Sequence, residues 1–506
     1  MGAPDQENVA QMGSAPGERQ SRESVDSQSS NLDVNTHLIP PALSLVSTSS
    51  STPYKVYKRR FFGLAQLVLL NIVVSWDWIA FAPVSTSSAE YFQTSESNIN
   101  WISTAFLFAF VVATPFTFFV LHRFGCKTAI MAAASLLLVG NWIKYGATKA
   151  SNFPGVMVGQ LLIGFAQPFV LSSPTSYSNL WFSPRGRTTA TAVASLANPF
   201  GAALGQLISP LWVSTPSDIP NMILYVAIIS SVACVPSFFI PSHPPTPPSA
   251  GSKSLSDGLD RNTIKHDVTT LMHSPEFYLV FIPYSIFVGF FNAISSLLNQ
   301  ILEPHGFSED DAGIAGAILI VVGLVCAAIS SPVIDRYKFY LKYIKFTVPM
   351  IGLAYLIFIW APQTGSLAYV YVVCAILGAA SFGLVPVVLE FLVEIHYPLG
   401  PELGSSLCWC GGQLLGGIFI IIMDALKAGR DASPPLNMKR ALIFQATLAM
   451  VAVPFALVLG LFGREERVRP RRWEADQGTS SSEEQEIRVS DSFEEPVRAQ
   501  DDRTRS

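Results

Sequence analysis

Phe61 to Ser85 is a largely apolar stretch that carries one carboxylate, Asp77, between Trp76 and Trp78. A run of about 20 apolar residues is long enough to cross a bilayer as a helix. An ionised side chain inside such a run costs roughly 2.5–3.5 kcal/mol, so Asp77 has to face protein or a water-filled cavity. The two indoles beside it have faces that attract cations. Together these features ask for a helical membrane protein with a cavity suited to a small, positively charged molecule.

Further apolar runs lie near 101–121, 128–147, 155–181, 188–212 and 221–240, and again near 277–301, 312–334, 345–361, 367–393, 403–425 and 440–462. With the first run they make six plus six, and an all-α membrane protein of 12 transmembrane helices in two six-helix halves is expected. Only 13% of the 506 residues are charged, where soluble proteins carry about 25%. The net charge of −4 argues against nucleic acid as a partner. Cys126, Cys234, Cys326, Cys374, Cys408 and Cys410 form no CxxC pair, so no disulfide framework or zinc site follows. No GxSxG, HExxH or phosphate-cradling loop occurs; the chain is not expected to be an enzyme, to hold a cofactor or to run on ATP.

The polar, Ser-rich segment 1–54 lacks the apolar core of a secretory signal and is expected to be a disordered cytoplasmic tail. Residues 55–240 should form one six-helix bundle, 241–275 a Pro-rich cytoplasmic loop, 276–463 the second bundle, and 464–506 a second disordered tail. Lys and Arg mark cytoplasmic loops. With both termini inside, twenty of them fall on inner loops and collars and six outside, while Glu90, Glu96, Glu303, Glu309, Asp310 and Asp311 gather outside. The halves also echo each other: Thr114-Pro115 to Arg123-Phe124-Gly125 answers Ser331-Pro332 to Asp335-Arg336-Tyr337, and the Gly201/Gly205 pair answers Gly412/Gly416. Parallel halves with a loop between them are the architecture of major facilitator transporters, and small residues four apart let helices approach closely.

Several stretches make a family resemblance. Gly63 to Val84 with Trp78, Gly159-Gln160 to Ala166-Gln167-Pro168 and on to Trp181-Phe182-Ser183-Pro184, Phe290 to Asn299, and Glu390 to Pro398 resemble the feline leukaemia virus subgroup C receptor-related transporters. The likeness covers about residues 57–463. It implies a carrier of choline and ethanolamine, haem export being the other activity assigned to relatives. It places Trp78 where a tryptophan stacks on the quaternary ammonium, and Gln167 and Gln413 where cavity glutamines stand. The cage tyrosine of the seventh span falls on Asn292, and Asp77 stands where relatives carry glutamine. Phe291 and Phe81 are the nearby rings that would compensate.

Each of these residues also has an ordinary reading. Trp78 lies about 17 residues into its run, towards the outer membrane level where indoles gather. Asp77 can be a structural acid paired with a lysine. Gln167, Gln413 and Asn292 can serve as interhelical hydrogen-bond partners, worth ~0.6 kcal/mol on average. Glu390 and Glu394 share a helix face and read as central path or as inner gate. Arg123, Asp335 and Arg336 read as gate and turn elements. Pro115, Pro168, Pro174, Pro199, Pro283 and Pro386 predict kinks. The expectation is a monomeric, facilitative carrier of a small organic cation in the lipid bilayer, the plasma membrane favoured over internal membranes. The alternatives are proton-coupled transport through Asp77 or Glu390, haem export, and a receptor or scaffold built on a transporter fold.

Overall fold

A computed structural model describes residues 56–246, 261–397, 399, 401–461, 465–469 and 471. The expected tail 1–54 lies outside the described residues, as does the tail 464–506 apart from 465–469 and 471. The helices are α1 (Arg60–Ile79), α2 (Ser85–Tyr91), α3 (Glu96–Lys149), α4 (Phe153–Trp181), α5 (Pro184–Leu211), α6 (Ile219–Cys234), α7 (Arg261–Met272), α8 (Pro275–Leu302), α9 (Glu309–Tyr337), α10 (Tyr340–Phe358), α11 (Leu367–Ile395), α12 (Pro401–Ala425) and α13 (Lys439–Val458). No strand occurs among the described residues. α3 is two spans, Glu96–Leu121 and Arg123–Lys149, joined at Gly125, whose φ of 80° is a conformation that glycine adopts without the Cβ penalty.

Eleven of these spans are long and apolar enough to cross a membrane. The twelfth expected span, α5, has the length but is rich in Thr, Ser, Asn, Gln and Gly and begins Pro-Arg-Gly-Arg. Its place in the bundle comes from packing, since it lies against α1 and α4 in its own half and α9 in the other. Close approach is built in by glycine: at Gly201 a Cβ would run into the carbonyl of Ile72 on α1. Two elements depart from expectation. α1 ends at Ile79, well before Ser85, because the chain turns through Ala80 to Val84 into the short α2. The linker expected to be loop carries α7, whose apolar Leu271 is 2% exposed and joins the main core.

Within the C-terminal half α8 packs on α12 and α13, α9 on α11, and α10 on α11 and α13. The halves meet most closely where α3 lies against α12 and α5 against α9. Odd-numbered spans rise from the end bearing Arg60 and Pro275, here the basic end, to the end bearing α2 and Glu303, here the acidic end.

Candidate substrate site

Trp78 lies in the last turn of α1, and its indole stacks on Phe106 of α3, the centroids 6.2 Å apart and the planes at 21°. The Phe106 backbone in turn lies against α4, where a Cβ on Gly164 would stand 2.8 Å from its carbonyl oxygen. Gln167 follows Gly164 by about one turn of α4; it is 3% exposed, and its Oε1 is buried without a partner. Trp78 Nε1 is likewise buried and unpartnered. In the other half, Asn292 of α8 donates from Nδ2 to Oε1 of Gln413 on α12 at 2.9 Å. Gly416 ties the two halves together. A Cβ there would meet Asn292 Nδ2 at 2.9 Å and Leu107 of α3 at 3.2 Å. Phe106 and Leu107 are neighbours in sequence, so the stacked indole and the amide pair belong to one buried layer.

The acidic end is closed by bonds that cross between halves. Asn100 and Gln300 exchange amide hydrogen bonds at 2.7 and 3.2 Å, and Asn100 also donates to Asp424 at 2.9 Å. Lys427 pairs with Glu96 and lies 3.4 Å from Gln300 Oε1. On α2, Thr86 donates to Glu303 at 2.6 Å and Ser87 Oγ to Glu309 at 2.7 Å. Gln206 of α5 donates to the Ser295 carbonyl at 2.7 Å. At the basic end, Lys338 lies 3.5 Å from Glu394 and Arg467 lies 3.4 Å from Glu276, each pair within the C-terminal half.

A family model described as Major Facilitator Superfamily matches residues 67–400. Solute carrier family 49 member A3 of Danio rerio is 30% identical over 388 residues, 75% of this chain and 81% of the relative. The chain belongs to the major facilitator superfamily. Within it, the chain sits with the feline leukaemia virus subgroup C receptor-related transporters. The choline/ethanolamine transporter flvcr2a of Danio rerio is 28% identical over 395 residues (75% of this chain, 83% of the relative). The choline/ethanolamine transporter FLVCR1 of Mus musculus is 29% identical over 392 (72% and 69%). Among solved structures, a D-xylose–proton symporter matches with a TM-score of 0.59 at 14% identity, covering 78% of this chain and 97% of that one. A bacterial homologue of the human lysosomal transporter Spinster matches with 0.61 at 13% identity, covering 80% and 98%. These distant likenesses carry the fold of membrane transporters.

In this major facilitator the residues singled out from sequence separate into groups. Trp78, Asn292 and Gln413 share the layer, and Gln167 lies next to its α4 wall. Asp77 does not face an open cavity. Its Oδ1 is 2.7 Å from Lys144 Nζ, both side chains are fully buried, and Oδ2 accepts from Asn141 at 2.7 Å and Ser230 at 3.2 Å. The cause is the length of α3, which continues to Lys149 and so carries Lys144, one of the six Lys and Arg expected outside, into the bundle. Phe81 is off the layer as well: past the end of α1 its ring enters a small cluster at the acidic end, 6.2 Å from Phe92. Phe291 turns to α11 and meets Phe382 edge-on at 4.9 Å. Glu394 is buried and lies 3.5 Å from Lys338, Glu390 is half-buried one turn away, and the side chains of Arg185 and Arg187, to which Glu394 was expected to bond, lie outside the described residues. Arg123 and Arg336 are exposed at the basic end, and the Asp335 side chain lies outside the described residues. Sequence reasoning missed Phe106, Asn141, Lys144, Gln160 and the cross-half lock. Lys144 was signalled by a cation inside an apolar run that also faces a run with a lone acid.

Proposed function

We propose that this major facilitator carries a small organic cation of the choline and ethanolamine class by alternating access, with Trp78, Gln167, Asn292 and Gln413 forming the contact layer. The observation that carries this reading is the layer itself, in which an indole stack from one half and an amide pair from the other are packed around Leu107 and Gly416. One indole face is taken by Phe106, and the other would receive an ammonium group; such contacts are worth ~0.5–2 kcal/mol. The unpartnered Gln167 Oε1 supplies an acceptor for a hydroxyl or N–H of the substrate. The names of the relatives support this substrate class. Lys and Arg bias supports a cytoplasmic basic end and cytoplasmic termini, and a monomer in the plasma membrane is part of the same proposal. With the acidic end locked, access to the layer is then from the cytoplasmic side. A cation needs no coupling ion, since the membrane potential supplies ~2.3 kcal/mol per 100 mV. A proton-coupled cycle through Asp77 is disfavoured by its ion pair with Lys144.

The test is uptake of labelled choline and ethanolamine by the purified protein in liposomes, with voltage set by potassium and valinomycin. Saturable, voltage-driven uptake is expected, with KM raised roughly tenfold in Trp78→Ala, the weight of ~1.4 kcal/mol. No uptake by the wild type at either polarity would overturn the assignment.

A further inference from the structure

Three polar side chains buried next to Trp78 are left without a role by the layer. α1 ends at Ile79, and beyond it Ala82 N–H returns to the Ile79 carbonyl. A helix end leaves its last carbonyls without intrahelical donors. Here Gln160 of α4 takes them from the side: its Nε2 donates to the Asp77 carbonyl at 3.1 Å and lies 3.5 Å from the Trp78 carbonyl. A free amide can turn end for end. The Gln160 amide is fixed because Lys144 Nζ lies 3.4 Å from its Oε1, and Lys144 is itself held at 2.7 Å by Asp77. α4 reaches this position because residue 159 is glycine, where a Cβ would stand 2.7 Å from the Lys144 backbone nitrogen. Gln160, Lys144 and Asp77 are all fully buried.

We propose that Asp77, Lys144 and Gln160 form a clamp that positions Trp78, with Gln160 the member that fixes the last turn of α1 and hence the plane of the indole. The ion pair orients the amide, the amide holds the carbonyls, and the carbonyls set the direction in which the Trp78 side chain leaves the helix. A buried ion pair is by itself weak evidence for stability, since apolar residues of like volume often replace one at no cost. A pair whose lysine also directs an amide onto the backbone of the contact tryptophan has a second effect, on affinity. That part of the inference rests on Trp78 being a substrate contact.

The experiment uses full-length protein in liposomes, with Gln160→Met, Gln160→Glu and Trp78→Ala compared for choline and ethanolamine uptake. In parallel, 5-fluorotryptophan-labelled protein is observed by fluorine NMR, the Trp78 resonance being the one missing in Trp78→Phe. Gln160→Met should raise KM about fivefold, the weight of one hydrogen bond, with maximal rate within a factor of about two, and should move the Trp78 resonance. Gln160→Glu should behave the same way, because a carboxylate accepts from Lys144 but cannot donate to the carbonyls. A Trp78 resonance unmoved by Gln160→Met overturns the clamp. A moved resonance with unchanged KM, in a protein where Trp78→Ala does raise KM, overturns its effect on affinity. Should Trp78→Ala leave KM unchanged, the contact assignment falls, and the resonance alone decides whether the clamp stands.

Discussion

The lock at the acidic end sets a measurable bias between two conformations. Asn100 is 5% exposed and makes three of the bonds that join the halves, two with Gln300 and one with Asp424. When the halves part at this end, water satisfies all of these groups. Asn100→Ala therefore costs the closed state and leaves the open state nearly untouched. Losing one partner of buried polar groups costs ~1–3 kcal/mol, and a shift of about 2 kcal/mol changes the open-to-closed ratio roughly 30-fold. Ser296, on α8 one turn below Gln300 and 2% exposed, is a suitable reporter as Ser296→Cys, with Cys326 and Cys410 replaced by alanine. Labelling by a membrane-impermeant maleimide added on the side of the acidic end should accelerate about 10–30-fold in Asn100→Ala. Asn141→Ala, which touches a network confined to the N-terminal half, should leave the rate near that of the parent. Equal labelling in Asn100→Ala and parent would refute the lock.

Two further perturbations read the buried and half-buried charges. Lys144→Met alone leaves a buried carboxylate without its cation and should destabilise the protein by ~3–5 kcal/mol, whereas Asp77→Asn/Lys144→Met together should recover most of that loss, as measured by thermal unfolding in detergent. His396 follows the end of α11; burial, reinforced by Arg471, holds its imidazole below the ordinary value, with the Leu392 carbonyl and Glu276 acting in the opposite direction. Its folded pKa is thus depressed, so its contribution is complete above about pH 6.5 and is lost as pH falls through the folded value. The melting temperature of the wild type should fall between pH 7.5 and pH 5.5, and His396→Gln should fall less.

What was legible in the sequence follows from what each signal depends on. Apolar runs report burial in lipid one residue at a time, so all twelve spans could be read as runs, α5 among them at 188–212, although its Thr, Ser, Asn and Gln leave it the one that hydropathy alone does not carry. The resemblance supplied Trp78, Gln167 and Gln413 because a family motif is local. It gave no sign of where each ring points. Phe81 and Trp78 lie only three residues apart, yet α1 stops between them, and a helix end of that kind is decided by tertiary contacts with Gln160 and α2. The Asp77–Lys144 pair spans a sequence separation of 67 residues, which no pattern within a single run can encode. The proximity of Asn292 to Gln413 likewise depends on α8 packing on α12.

The two polar networks differ in one respect that assigns their roles. Every partner of Asp77 (Lys144, Asn141 and Ser230, with Gln160 behind them) lies in the N-terminal half. Asn100, Glu96, Thr86 and Ser87 instead bond to Gln300, Lys427, Glu303 and Glu309 in the C-terminal half. In alternating access the halves move largely as rigid bodies about a fixed site. A network inside one half keeps its geometry throughout the cycle, so it can hold a binding residue in place but cannot report which side is open. A network across the halves must break once per cycle, so its strength enters the conformational equilibrium directly and its loss changes access before it changes affinity. In the proposed cycle the same chemistry, carboxylate with lysine and amide with amide, would therefore serve affinity near Trp78 and gating near Asn100, the distinction following from which half supplies each partner.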